Sequence, residues 1–182
     1  MKKTLLVILI SVMLVGTASA GDNWKFYFFG IDYDDVKDIK WSHVAGGAVS
    51  SLVVHELGHL AFGRMAGFDT SFNFNEFVAE ARWDGHSTDA EKAWFYRGGF
   101  VAQALVGTVL TAIPRTRHAD FTVGFNGFTF VNSGLYVITG GFDNDTSDIK
   151  NLNRAGYNGN LEGGLTSLYG VVLTYINLNK VK

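Results

Sequence analysis

His55, Glu56 and His59 lie in the run Val53-Val54-His55-Glu56-Leu57-Gly58-His59-Leu60. On a helix of 3.6 residues per turn the two histidines stand one turn apart on one face, so both imidazoles can reach a single ion. Glu56 stands beside them, where a carboxylate can take a proton from water. Two imidazoles and a neighbouring carboxylate at this spacing form the HExxH signature of zinc hydrolases, in which the ion polarises a carbonyl and lowers the pKa of its water to around 7. Zn2+ is therefore the expected cofactor, with His55 and His59 as ligands and Glu56 as general base. The competing reading of the same residues is a pair of partnered histidines in a core helix.

A catalytic zinc needs a third protein ligand and one open position. The chain has no Cys, which removes thiolate ligands, disulfides and a cysteine nucleophile together. The third ligand must then be His or carboxylate, and two sources compete. Glu76, with Glu80 behind it, follows the motif in Asn75-Glu76-Phe77-Val78-Ala79-Glu80. Asp143, Asp145 and Asp148 lie much further on, in Gly140-Gly141-Phe142-Asp143-Asn144-Asp145-Thr146-Ser147-Asp148-Ile149. That second stretch also reads as an ordinary turn in which Ser147 or Asp148 caps a following helix. His86, in a polar stretch, reads as a solvent-exposed histidine. Gln103 and Asn132 are candidates to polarise a substrate carbonyl.

The elements that must position these residues are mostly uncharged. The motif sits in a run from Val44 to Met65 that predicts a helix. Small residues four apart, Gly46 with Ser50, Gly47 with Ser51 and Gly63 with Gly67, allow close helix approach, and Gly67 suits a C-cap. Such a run fits either a membrane helix or a buried helix of a compact fold. Phe68 to Glu80 suggests an extended segment beside the site, and Arg82 to Lys92 a loop or helix start. Gly98 to Pro114 predicts a membrane helix. Phe121 to Val131 reads as a hairpin around an Asn126-Gly127 turn, with a helix from about Asn132. Gly163 to Asn179 predicts a last helix.

Composition narrows the class. With 182 residues, one domain with a real core is expected. A formal charge of −2 gives no basic face for nucleic acid. Twenty-two Gly against one Pro, 14% aromatic and 18% charged residues suit helices that keep apolar surface away from water. Residues 1–20 read as a secretory signal: Lys2 and Lys3, an apolar stretch from Leu5 to Val15, and Ala18-Ser19-Ala20 as a cleavage site. An uncleaved anchor helix is the alternative. Residues 21–40 mix aromatics with Asp and read as a solvated loop.

His55-Glu56-Leu57-Gly58-His59, followed by Gly67 and Phe68, resembles the motif helix of the site-two-protease family of metallopeptidases, and Gly98-Gly99-Phe100-Val101-Ala102-Gln103 is similar to that family's small-residue helix. The resemblance implies an intramembrane zinc peptidase whose third ligand is an Asp opening a later helix, with Asp148 in Asp148-Ile149-Lys150-Asn151-Leu152 as the best match and Asp145 and Asp143 as rivals. Glu76 would instead follow thermolysin-like and aminopeptidase-like enzymes, at a spacing that differs from theirs. The family's Pro-Asp-Gly or Leu-Asp-Gly signature is absent. The expected fold is thus mainly α: a membrane-associated bundle of three to four apolar helices with a small β element near the site, in one domain over residues 21–182. The expected function is a zinc-dependent endopeptidase acting in or at the membrane, exported to the inner membrane with extracytoplasmic exposure, and acting on a peptide or membrane-protein substrate. The alternatives are an exported soluble or peripheral zinc peptidase using Glu76 or Glu80, and a catalytically inactive metal-binding envelope protein.

Overall fold

In the computed structural model the described residues are 38–75, 77–82, 86–139 and 147–179. Their order is α1 (Trp41–Met65), β1 (Asp69–Asn73), β2 (Val78–Arg82), α2 (Asp89–Ala112), the short α3 (Pro114–Arg117), α4 (Asp120–Thr139), α5 (Asp148–Arg154) and α6 (Gly159–Leu178). The chain from Ile39 onward clusters as one unit. The expected signal segment over residues 1–20 lies outside the described residues.

Polarity decides how the helices pack. Along α1 the buried residues are Gly47, Ser51, His55, Glu56, Gly58, His59 and Gly63, and Gly47, Ser51, His55, His59 and Gly63 recur at spacing four as one helix face requires. Val49, Val53 and Leu57, at spacing four, are exposed. The stripe that would be apolar in an ordinary amphipathic helix is here small or polar. Helix α4 repeats the arrangement, with Thr122, Asn126, Thr129 and Ser133 buried beside Phe125.

Glycine lets α1 touch its neighbours backbone to backbone. A methyl at Gly58 would stand 2.3 Å from the Gly98 carbonyl oxygen of α2, and one at Gly47 would stand 2.0 Å from the Phe121 oxygen of α4. Helix α1 therefore packs against both α2 and α4, and α6 packs against α4 and α2. The apolar core is a separate cluster of Ala93, Phe100, Ile149 and Leu152, with Tyr96, Tyr136, Val137, Ala155 and Tyr157 around it, and it fixes α5 against α2. Thr88 starts α2 with a capping box: its hydroxyl accepts from the Glu91 amide, and its own amide donates to the Glu91 carboxylate. The two strands pair antiparallel, with Phe72 opposite Ala79, and pack against α1.

Two expectations are corrected here. The fold is mainly helical with a small two-stranded sheet, but no described helix is long and apolar enough to cross a membrane, so the membrane bundle is not what forms. The runs are uncharged rather than uniformly apolar: Gly, Ser, Thr, Asn, Gln and His occupy their inward stripes and lower their hydropathy. The hairpin expected at Phe121 to Val131 is instead the first half of α4. Its alternation of Phe with Thr and Gly also satisfies a helical period, and the buried side of that period carries Thr122, Phe125, Asn126 and Thr129. Tertiary partners for those residues override the Asn-Gly turn signal.

Candidate metal centre

His55 and His59 project from the middle of α1 into the space between α1, α2 and α5, where both are almost fully buried. His59 Nδ1 lies 2.7 Å from the Phe95 carbonyl oxygen. A carbonyl only accepts, so Nδ1 of His59 carries a hydrogen and donates it. His55 Nδ1 lies 3.0 Å from Gln103 Oε1. The Gln103 amide can turn only one way, because its Nε2 donates to the Ser51 carbonyl at 3.2 Å. Oε1 therefore faces His55, and Nδ1 of His55 is also the donor.

Both imidazoles thus have Nε2 free of that hydrogen, and both Nε2 atoms point to one place. They stand 3.1 Å apart. Asp148 Oδ2, from the first turn of α5, lies 3.0 Å from His55 Nε2 and 3.3 Å from His59 Nε2. Three lone-pair-bearing atoms at these separations repel one another unless a cation, a proton or a metal ion, sits among them. A tetrahedral ion with ligand bonds of about 2.0–2.1 Å has ligand atoms about 3.3–3.4 Å apart, close to the triangle observed. The chemistry of the donor set fits a metal ion.

Glu56 completes a buried His55, Glu56 and His59 group whose ligand atoms all lie within 4.8 Å of one another and which could hold a metal ion. Its Oε2 accepts from the Ala79 amide at 2.8 Å. That amide points out of the β1–β2 ladder toward α1, so the hairpin orients the carboxylate.

Charge is held in this pocket by mutual compensation. Burial alone would push the His59 pKa down, but the Asp148 carboxylate, with the Phe95 carbonyl and Glu56, raises it to about 9. Burial would raise the Asp148 carboxyl, yet His59 and His55 hold it well below the usual carboxylate range. Tyr136 of α4 is pushed up by burial and by the charges of Asp148 and Glu56.

The remaining sequence candidates fall elsewhere. Glu76, Asp143 and Asp145 lie outside the described residues. Glu80 is exposed on β2 and accepts from the Asn73 side chain at 2.9 Å, away from the histidines. His86 is exposed and Asn132 half-buried. Gln103 has no exposed surface, and its amide is committed to Ser51 and His55, so it has no donor for a substrate carbonyl. Thr129, Tyr136 and the Ala79 amide have no signal in the sequence that ties them to the motif. Their proximity is created by helix packing. No protein-family model matches the chain, and no curated protein or solved structure matches it.

Proposed function

We propose that this chain is a zinc-dependent endopeptidase in which His55, His59 and Asp148 hold the ion and Glu56 is the general base. The observation that carries the reading is the convergence of His55 Nε2, His59 Nε2 and Asp148 Oδ2 within 3.0–3.3 Å of one another. Two imidazoles and one carboxylate are a ligand set of catalytic rather than closed structural zinc. An aspartate opening a later helix is also the ligand that the site-two-protease resemblance implies.

Zinc, when bound, would supply a Lewis acid for the scissile carbonyl and lower the pKa of water to around 7. The chain's own residues do the rest. Glu56 takes the proton of the attacking water and returns it to the leaving amine. The Ala79 amide keeps the Glu56 carboxylate beside the histidines. Phe95 O and Gln103 Oε1 hold the two imidazoles in the tautomer that a metal ligand requires.

The test is zinc content and peptide cleavage measured on the same purified full-length chain. Wild type should carry one zinc and cleave members of a fluorogenic peptide library. His55→Ala and Asp148→Ala should lose the metal. Glu56→Gln should keep the zinc and lose cleavage by about 10^2–10^4-fold. A Glu56→Gln chain that keeps its zinc and cleaves at the wild-type rate ends this mechanism.

A further inference from the structure

Gln103 links His55 to a helix that supplies no ligand. Its Nε2 also donates to the Ser51 hydroxyl at 2.9 Å. Ser51 Oγ lies 3.1 Å from Thr129 Oγ1 on α4, and Thr129 Oγ1 lies 3.2 Å from the Phe125 carbonyl oxygen. His55, Gln103, Ser51 and Thr129 are each at most 2% exposed. Each hydroxyl has one hydrogen to give. The Phe125 carbonyl can only accept, so the Thr129 hydrogen goes there. The Ser51 hydrogen then goes to Thr129, and Ser51 Oγ is left to accept from Gln103. Every bond therefore runs in one direction, from His55 Nδ1–H through Gln103, Ser51 and Thr129 to Phe125 O.

We propose that Gln103 is a positioning residue for His55 and that Thr129 is its remote anchor, so that α4 contributes to metal affinity through this chain of hydrogen bonds. The proposal rests on the metal-centre reading above. The opposite tautomer of His55 would set a bare Nδ1 against Gln103 Oε1 at 3.0 Å, two acceptors face to face. The chain makes that arrangement unfavourable and turns Nε2 toward Asp148 and His59, where a metal ion or a shared proton sits among the three atoms. Hydrogen bonds aligned in this way strengthen one another in a dry interior, and partners behind metal-ligating histidines typically change metal affinity about 10–100-fold when lost. The two ligands differ in this respect. His59 is oriented by a backbone carbonyl, which no side-chain substitution removes. His55 is oriented by side chains, and its orientation can be altered by substitution.

The experiment uses the full-length chain, with zinc affinity read by competition against a chromophoric chelator. The His55 tautomer is read from the ring nitrogen resonances of the metal-free protein. Gln103→Leu should weaken zinc binding about 10–100-fold. Thr129→Val, which keeps the shape and loses the hydroxyl, should weaken it several-fold in wild type and add nothing in the Gln103→Leu background, since coupled residues are non-additive. The His55 ring should be protonated at Nδ1 in wild type and a mixture of tautomers in Gln103→Leu. Should Gln103→Leu fail to fold, Ser51→Ala and Thr129→Val carry the same comparison. Wild-type affinity in Thr129→Val and Ser51→Ala, or full additivity with Gln103→Leu, overturns the proposal. A wild-type chain that binds no zinc refutes the metal reading alone. In that case the His55 tautomer still decides the positioning role, supporting it if Gln103→Leu produces the mixture and sinking it if the ring is unchanged.

Discussion

Gly99 faces the His55 imidazole with no room between them for a side chain. A methyl group added at Gly99 would stand 2.5 Å from His55 Cε1 and 2.6–2.7 Å from both ring nitrogens. Real carbon atoms do not approach so closely, so one partner must move. The backbone of α2 at this level is fixed by the Gly58–Gly98 contact one residue earlier, which leaves the ring to yield. Gly99→Ala should therefore rotate or displace His55 and reduce zinc affinity more than it reduces folding stability. The check pairs a zinc competition titration with a urea melt of the metal-free chain. Unchanged zinc affinity would mean that the helices, and not the ring, absorb the methyl.

The His59–Asp148 pair sets how the metal-free chain responds to pH. The folded His59 pKa, about 9, exceeds its ordinary 6.5. Its contribution is fully present below about pH 6.5 and is lost as the pH rises through about 9. Asp148 has the opposite sign: its pKa is depressed from 3.8, so its contribution is present above that value and is lost in acid. The urea midpoint of the metal-free chain should be highest between these limits and fall on both sides. A metal ion bound at Nε2 would displace the His59 proton, so zinc affinity should rise with pH over the window in which the metal-free chain loses stability. A urea midpoint that does not change between pH 6.5 and 9 would show that the two groups are not paired in solution.

The motif could be read in the sequence because its geometry is local: a spacing of four on a helix places two imidazoles on one face whatever else the chain does. Asp148 is ninety-three residues from His55, and only the family resemblance ranked it ahead of Asp145, Asp143 and Glu76. Its approach depends on Ile149 and Leu152 packing into the core beside Phe100, a tertiary event with no local trace. The Gly98-Gly99 pair was visible as a small-residue motif, while the function of each glycine, one for a helix contact and one for a ring, was not. The first half of α4 was misread for a related reason. Its inward residues are Thr122, Asn126 and Thr129 with Phe125 the one apolar member, so no apolar stripe marked the helical period, and Asn126-Gly127 supplied a turn signal instead.

Asn126 shows what replaced that turn. Its Nδ2 donates to Asn177 Oδ1 at 2.7 Å and to Thr111 Oγ1 at 3.1 Å, joining α4 to α6 and α2. Asn177 in turn donates to the Arg117 carbonyl at 2.7 Å. Asn126 Oδ1 is buried and has no partner, which offsets part of the gain. Asn126→Ala removes both donated bonds and leaves the Asn177 oxygen only the Thr111 hydroxyl at 3.5 Å, at a cost of about 1–3 kcal/mol. The urea midpoint should fall accordingly while zinc content stays at the wild-type level, because the network has no member in common with the His55 chain. Loss of zinc in this variant would show that the two ends of the bundle are coupled.

Arg97 and Glu162 form an ion pair between α2 and α6. The guanidinium donates through Nε and Nη2 to the two carboxylate oxygens, both at 2.7 Å, and its Cζ lies 4.2 Å from the centre of the Tyr157 ring. Both side chains are less than a third exposed, so solvent screens the pair less than it screens a surface ion pair. A bidentate pair stacked on an aromatic face contributes about 1–2 kcal/mol here. Arg97→Lys keeps the charge but loses the fork and the stacking, so it should recover less than half of what Arg97→Ala loses. Thermal melts of the three chains at low salt make the comparison. If Arg97→Lys restores full stability, charge alone accounts for the pair and the planar geometry contributes nothing.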